Sequence, residues 1–231
     1  MQGKTILVID DEPEMLDLLA EIFSHEGARV VTAASGREAL RQFHACRPDL
    51  VVLDLMLPDM DGLEVCARFR QLSDVPIILL TALCRDQDIV AGLDCGADEY
   101  IAKPFSPEVL LAHSRAVLRR AELSSLPDQP IRYDDSHLFI DLERRQVRRG
   151  GTPVRLTSTE YGVLACLLRR MDQACSYAHI LEQVWGQQYQ DSPEYIHVYV
   201  NRLRQKLEED PAHPRYLVTV YGVGYAFRRP E

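Results

Sequence analysis

In the first half of the chain, five side chains suited to phosphoryl chemistry each follow a short apolar run. Ile6-Leu7-Val8-Ile9 leads into Asp10-Asp11, Leu50-Val51-Val52-Leu53 into Asp54, Ile77–Leu80 into Thr81, and Glu99–Ala102 into Lys103-Pro104. Three carboxylates brought to one place repel one another unless a cation neutralises them. No neighbouring cysteine or histidine favours a soft metal, so a hard, oxygen-ligated ion such as Mg2+ is expected. An aspartate beside such an ion can attack phosphorus and become an aspartyl-phosphate. Metal and ammonium then offset the charge on the transferring oxygens. Asp54, central in the group, is the expected nucleophile, with Thr81 and Lys103 binding the product's phosphate oxygens. Taken singly, these residues have ordinary explanations: Asp10-Asp11-Glu12 suits a helix start, Thr81 a turn and Lys103 a surface ion pair. Their recurrence at successive strand ends is what points to one shared site.

The positioning elements can be read from the same stretch. Ligands of an open α/β sheet bind at the carboxyl ends of its strands. The expected strands are Thr5–Ile9, Arg29–Ala33, Leu50–Leu53, Ile77–Leu80 and Glu99–Ala102. Between them lie helical patterns. In the first, Met15, Leu18, Leu19, Ile22 and Phe23 follow the i, i+3, i+4, i+7, i+8 rule. The second opens on Ser35-Gly36-Arg37-Glu38, a capping box, and the last on Ser106-Pro107. Runs such as Leu50–Leu53 have no polar side, so a five-stranded, doubly wound parallel sheet covered on both faces is predicted.

Glu122 to Pro130 reads as a linker with two prolines and two serines. The expected domains are therefore residues 1–121, a linker at 122–130, and residues 131–231. After the linker come short strands at Leu138–Ile140, Gln146–Arg149 and Pro153–Leu156. A second capping box, Thr157-Ser158-Thr159-Glu160, opens a helix with Tyr161, Leu164, Ala165 and Leu168 on one face. Another helix is expected from Ser176 to about Trp185. A third starts at Ser192-Pro193 with Ile196, Tyr199, Val200, Leu203 and Leu207 along one stripe. Tyr216–Tyr221, Gly222-Val223-Gly224 and Tyr225–Arg228 read as a hairpin. This order suggests an α+β winged-helix module.

Composition bounds the rest. The chain has 231 residues, 46% of them hydrophobic, and a net charge of −9. Residues 1–121 carry 12 Lys and Arg against 20 Asp and Glu, and residues 122–231 carry 14 against 15. The first part repels nucleic acid and the second is only locally basic. No apolar run approaches the ~20 residues that span a bilayer. The first residues lack a signal peptide's layout, so no membrane association and a cytoplasmic location are expected. The six cysteines form no Cys-x-x-Cys pair and read as buried or inert thiols.

Asp10-Asp11-Glu12, Leu53–Pro58, Asp61-Gly62, Thr81-Ala82, Gly96-Ala97-Asp98 and Lys103-Pro104-Phe105 together resemble the receiver domain of bacterial two-component response regulators. The resemblance implies a flavodoxin-like fold and phosphoryl transfer from a sensor histidine kinase to Asp54. It also implies Mg2+ held by Asp11, Asp54 and the Met56 carbonyl, with Asp10 acting through water, and a cis peptide before Pro104. Thr81 and the aromatic at Tyr100 take the family's switch positions.

In the second part, the face opposite the third helix's apolar stripe carries His197, Asn201 and Arg204, with Val198, Arg202 and Gln205 beside it. Arginine and asparagine on an exposed helix suit guanine, phosphate and adenine. An ordinary solvated helix is the competing explanation, favoured by the acidic run Glu208-Glu209-Asp210. Trp185-Gly186, Val200–Glu208 and Gly222-Val223-Gly224-Tyr225 resemble the output domain of the OmpR/PhoB class of transcription regulators. That implies promoter DNA as ligand, with a recognition helix contacting it through Tyr195, His197, Tyr199, Asn201, Arg202 and Arg204. Trp185 and the wing residues Thr219, Tyr221 and Tyr225 are expected to join them. It also implies a transactivation loop at residues 187–191 that touches RNA polymerase. Two departures stand out: Glu194 replaces an arginine that often clamps phosphate, and Tyr221 replaces a wing arginine.

A phosphorylation-favoured homodimer is expected to follow. Ile89, Val109 and His113 stand where the family usually has charged partners, while Asp98, Glu99, Arg115 and Arg120 are retained, so a more apolar interface is predicted. Two other readings compete. One is a Mg-dependent phosphohydrolase, which favours an acid two residues after its nucleophile, whereas Met56 stands there. The other is a regulator acting by protein contact or without phosphorylation.

Overall fold

The computed structural model describes residues 1–82, 95–122, 131–186, 189 and 194–230, with the side chains of Glu122 and Glu194 outside that description. The chain divides into two compact units, Met1–Leu118 and Arg119–Glu231. Of the expected linker at 122–130, Glu122 is instead the last residue of a helix, and residues 123–130 lie outside the described residues. Among the described residues, no helix is long and apolar enough to cross a membrane.

The first unit alternates β1 (Thr5–Ile9), α1 (Pro13–His25), β2 (Arg29–Ala33), α2 (Gly36–Cys46), β3 (Leu50–Leu53), α3 (Gly62–Leu72), β4 (Ile77–Thr81), β5 (Glu99–Ala102) and α4 (Pro107–Glu122). The strands form one parallel sheet in the order β2-β1-β3-β4-β5. This is a flavodoxin-like arrangement. β4 runs one residue further than expected, so Thr81 is its last residue rather than the first of a loop. Side chains alternate between the two faces, as strand geometry requires. Leu7, Ile9, Val51, Leu53, Ile77 and Leu79 pack against Phe43 and Phe69 from α2 and α3, whose rings stack with centroids 4.3 Å apart. Ile6, Val8, Leu50, Val52, Ile78 and Leu80 pack against Leu19 and Phe23 from α1 and Leu110 and Val117 from α4.

α1 corrects the sequence reading in one detail. Leu19 and Phe23 are buried but Leu18 is 43% exposed. Successive helical residues are rotated by about 100°, so a residue beside the buried stripe turns toward solvent even when it fits the spacing rule. At α2, Ser35 accepts the Glu38 amide, but the Glu38 carboxylate takes the Ala34 amide at 3.0 Å, one residue earlier than a reciprocal box would place it.

The turn that carries Asp54 depends on Gly62, the first residue of α3. A Cβ there would lie 2.5 Å from Leu55 Cα and 2.6 Å from the Asp54 carbonyl oxygen, and the Gly62 amide donates to the Leu55 carbonyl at 3.0 Å. The end of β3 and the start of α3 approach this closely because residue 62 has no side chain.

The second unit begins with a four-stranded antiparallel sheet of β6 (Arg132–Asp134), β7 (Leu138–Asp141), β8 (Gln146–Arg149) and β9 (Thr152–Pro153). Three helices follow: α5 (Ser158–Leu168), α6 (Tyr177–Val184) and α7 (Glu194–Leu207). A three-stranded sheet ends the unit, in which β12 (Gly224–Phe227) lies between β10 (Cys175–Ser176) and β11 (Leu217–Val220). β6 and β10 are additions to the sequence reading, and β9 is shorter and earlier than expected. The capping box at Thr157 and Glu160 forms in full. α5 was expected to be amphipathic, but Val163, Cys166 and Leu167 are buried along with the predicted stripe. The helix packs on α6, α7 and β12 together, so it has no solvent face of any width. At the hairpin tip, Gly222 adopts φ +73° and the Val223 amide donates to the Val220 carbonyl at 3.0 Å.

Replacing Gly62 by alanine forces the β3–α3 junction apart. The expected cost is about 1–3 kcal/mol, the usual range for overpacking, read as a lower urea midpoint of the first unit with an unchanged slope. Wild-type stability in the Gly62→Ala variant would show that the close approach is unimportant.

Candidate functional site

The ends of β1, β3 and β5 bring together the charged residues singled out in the sequence. Ligand oxygens of Asp10, Asp11 and Asp54 lie within 4.8 Å of one another. Asp10 and Asp54 are buried, while Asp11 is exposed. The Lys103 Nζ donates to Asp10 Oδ2 at 2.7 Å and to Asp54 Oδ2 at 2.6 Å. The other oxygens are fixed by the backbone: Asp10 Oδ1 accepts the Glu12 amide at 3.0 Å and Asp54 Oδ1 the Met56 amide at 3.2 Å. The Lys103-Pro104 peptide is cis.

The electrostatics follow from this geometry. Burial pushes the Asp10 carboxyl above its ordinary value, against the pull of Lys103 and the Glu12 amide. Burial by itself would lower the Lys103 ammonium, but its hydrogen bonds to Asp10 and Asp54 and their charges hold it above the usual lysine value. One cation thus faces three carboxylates, which leaves an all-oxygen cluster with excess negative charge. This is a donor set suited to a small hard divalent cation. Thr81 is fully buried at the end of β4, opposite Ala102 and next to the strand that delivers Lys103. Tyr100 is buried with the α2–α3 side of the core. Met56 has its side chain 62% exposed beside the cluster.

In the second unit, α7 buries Ile196, Tyr199, Val200, Leu203 and Leu207 completely. His197, Asn201 and Gln205 are exposed on the other side. His197 Nδ1 lies 2.7 Å from the Tyr225 hydroxyl, which fixes the ring against β12. Tyr221 stands at the hairpin tip, 92% exposed.

Several residues expected to meet DNA are instead part of the interior. Trp185, Tyr195, Tyr199 and Tyr225 are buried. The Trp185 ring sits 6.1 Å from Tyr195 and 5.3 Å from Tyr199, and Tyr195 lies 5.7 Å from Tyr189. Large aromatic rings bury much apolar surface, and the Tyr225 hydroxyl is met by His197. Arg202 is also buried, its guanidinium 5.0 Å from the Tyr199 ring centroid. Arg204 is half-buried and already used. Its Nε and Nη2 donate to the Leu217 carbonyl at 2.9 and 2.7 Å, and Nη2 donates to Thr219 Oγ1 at 2.9 Å. Arg204 and Thr219 therefore fasten the hairpin to α7.

Sequence reasoning missed the role of Glu208. It was counted among surface acids beyond the helix, yet it is buried. Its carboxylate accepts the amides of Arg215, Tyr216 and Leu217 at 2.9, 3.0 and 2.8 Å. Residues 190–193 and most of the expected loop at 187–191 lie outside the described residues, as does the Glu194 side chain. Tyr189 of that loop is buried.

The expected dimer surface is also revised. Asp98 is fully buried and paired with Arg70, and it accepts the Ile77 amide at 3.1 Å, so it staples α3 to the sheet edge. Glu99 is fully buried, with His113 Nδ1 3.8 Å away. Arg115 pairs with Glu26, the residue that follows α1, at 2.7 Å, and Arg120 is buried. Val109 is 44% exposed. Ile89 lies outside the described residues.

Comparison with known proteins adds to this geometry. The family model "Response regulator receiver domain" matches residues 6–115, and "Transcriptional regulatory protein, C terminal" matches residues 151–227. The chain is 45% identical to a probable transcriptional regulator ycf27 of Porphyridium aerugineum, over 99% of this chain and 98% of that one. It is 41% identical to the transcriptional regulatory protein KdpE of Mycobacterium tuberculosis, over 96% and 98%. Among solved structures it is similar to the response regulator DrrB of Thermotoga maritima, described as an OmpR/PhoB homolog, at 33% identity with a TM-score of 0.52 over 99% and 100% of the two chains.

Removing the Lys103 charge leaves Asp10 and Asp54 facing each other in a largely buried setting. Lys103→Met is expected to cost roughly 3 kcal/mol, the usual penalty for breaking a buried pair. A second change, Asp10→Asn, is expected to recover most of that loss in a double-mutant cycle followed by urea unfolding. Additive effects of the two changes would contradict the coupling.

Proposed function

The chain belongs to the OmpR/PhoB class of response regulators and is a phosphorylation-dependent, DNA-binding transcription regulator; from that premise we propose that Asp54 is its phosphoacceptor and that the exposed face of α7 reads the promoter. As a regulator it works with a kinase and with DNA. The observation that carries the phosphoacceptor reading is the Lys103 ammonium held between Asp10 and Asp54, with Asp11 in the same cluster.

In this reading an Asp54 carboxylate oxygen attacks the phosphorus of a phosphohistidine on the sensor histidine kinase. The P–N bond breaks, the imidazole leaves, and an acyl phosphate remains on Asp54. Asp11, Asp54 and the Met56 carbonyl, with Asp10 nearby, would hold Mg2+, which would supply charge neutralisation on the transferring oxygens. Lys103 already touches the Asp54 carboxylate, so its ammonium is placed to take a phosphoryl oxygen on the same side chain. The Glu12 and Met56 amides keep Asp10 and Asp54 oriented. Thr81, ending the strand beside Lys103, supplies a hydroxyl for a second oxygen, and Tyr100 is the aromatic whose packing couples to that movement. Slow self-dephosphorylation at Asp54 is the only turnover this scheme contains.

The duplex-facing set is narrower than the sequence suggested: His197, Asn201 and Gln205 on α7 and Tyr221 on the wing. Asparagine suits adenine in the major groove. The homodimer is proposed to form through an apolar contact at Val109 and Ile89, since the charged candidates that are described are used within the chain. Contact with RNA polymerase is assigned to residues 187–191, and the protein is placed in the cytoplasm.

Two outcomes test this. With acetyl phosphate and magnesium, wild type is expected to gain a phosphoryl adduct by mass spectrometry and to bind promoter fragments about tenfold more tightly, a change of about 1.4 kcal/mol. Asp54→Asn should show neither. Asn201→Ala is expected to lose about 1–3 kcal/mol of discrimination at one base pair in a selected site, with other positions unchanged. A uniform loss across all sequences would move Asn201 from base reading to backbone contact.

A further inference from the structure

The turn between β6 and β7 holds an imidazole whose two nitrogens both face acceptors. His137 Nδ1 lies 3.1 Å from Glu209 Oε1, and Nε2 lies 3.3 Å from the Leu207 carbonyl oxygen. A neutral imidazole has one N–H and can serve only one of these oxygens, whereas an imidazolium serves both. Leu207 is the last residue of α7, so its carbonyl is one of four that a helix leaves without an internal partner. It also stands at the negative end of the helix dipole, where a cation is favoured.

The surroundings keep the ring in place and leave the proton as the variable. Asp135 Oδ1 accepts the amides of His137 and Leu138 at 2.8 and 2.6 Å. Asp135 Oδ2 accepts the hydroxyls of Tyr133 and Tyr216 at 2.6 and 2.9 Å. Against the upward push of burial, these donors hold the Asp135 carboxyl down at about 2, so it is charged throughout the neutral range. Burial and the Asp135 charge push both tyrosines up, and they stay neutral there. The Tyr216 ring stacks on the imidazole at 6.0 Å and 10°. Glu208 spends its carboxylate on three backbone amides, and Arg215 reaches Glu209 Oε2 at only 4.0 Å. From β8, Arg149 Nη1 donates to the Glu208 carbonyl at 3.0 Å and the Gln205 carbonyl at 3.5 Å, on the same helix end. Arg149 keeps its charge at every relevant pH, and His137 is the other side chain against that helix end.

We propose that His137 is a proton-operated clasp, tying the β6–β7 turn to the C-terminal end of α7 through two contacts when charged and through one when neutral. Its bearing on promoter binding rests on α7 being the reading helix; the clasp itself does not. The sign follows from the charge it requires. The two-contact form is the charged one, so its contribution is greater at lower pH.

The test uses the full chain without DNA. Melting of wild type and His137→Phe, which keeps a ring on Tyr216, is compared at about pH 6 and about pH 8, on either side of the ordinary imidazole titration. The gap in Tm for the second unit is expected to be wider by about 3 °C at the lower pH, the scale set by one modest contact in a domain of this size. Glu209→Gln should shrink that difference. In wild type, long-range 1H–15N spectra at the lower pH are expected to show both His137 nitrogens protonated. Equal gaps at both pH values, or one ring nitrogen bare at the lower pH, would overturn the clasp. The spectra decide the matter even if His137→Phe fails to fold. Because no readout involves DNA, failure of the promoter-binding assignment is a separate result.

Discussion

Repulsion among Asp10, Asp11 and Asp54 is the constraint around which the first unit is organised. Three carboxylates within 4.8 Å are held there by strand ends that cannot move apart, since β1 and β3 are paired neighbours in one parallel sheet whose faces are both buried. A hydrophobic sheet with no polar side thus supplies what the charges could not supply themselves. Lys103 compensates only part of the excess, and the amides of Glu12 and Met56 orient the remaining oxygens without adding charge. The cluster is left suited to further positive charge and, in the proposed reading, to conversion of Asp54 to an acyl phosphate. Gly62 belongs to the same logic, because it lets α3 begin against the backbone of Asp54 and Leu55.

The second unit solves a different problem, which is keeping a helix and a hairpin rigid while leaving one helix face open. Three of its arginines are spent on that task. Arg204 fastens the hairpin through the Leu217 carbonyl and Thr219, and Arg149 caps the end of α7. Arg202 lies buried over Tyr199. Glu208 closes the same region from the other side by accepting three amides at the start of β11. Guanidinium groups suit this role because one planar fork can satisfy several carbonyls at once.

These two solutions were unequally legible in the sequence. Continuous apolar runs ending in Asp, Thr or Lys report a buried parallel strand and its functional end in the same few residues. The strands of the first sheet and the Asp10–Asp54–Lys103 grouping could therefore be anticipated. Spacing on α7 identified the buried stripe, Tyr199 included, but placed Val198 and Arg202 outside it, although both are buried. In a small three-helix unit the core wraps around more than half of each helix, and long amphipathic side chains are drawn in. The partners of Arg204 and Glu208 are set by where the chain turns back after α7, which no local pattern encodes. Asp98 and Glu99 looked like surface charges at a strand start, yet Arg70, from an element far off in sequence, makes Asp98 an interior ion pair. β6 and β10 are two- or three-residue strands that exist because a partner strand lies beside them.

The internal use of these arginines bears on how control by phosphorylation can work. Residues 122–231 carry 14 Lys and Arg against 15 Asp and Glu, and the exposed residues described on α7 are His197, Asn201 and Gln205, so the proposed reading face itself contributes little counterion release, the term that supplies most non-specific affinity for DNA. Under the proposed reading, that face discriminates among bases more than it attracts the duplex. Under the proposed dimerisation, linking two such units raises the effective concentration of the second without any new contact to DNA. The weaker the single unit, the larger the share of total affinity that depends on pairing, and hence on the phosphoryl group at Asp54. Arginines withdrawn from the DNA face therefore make the switch steeper, because a strongly basic output unit would occupy DNA whether or not its receiver had been phosphorylated.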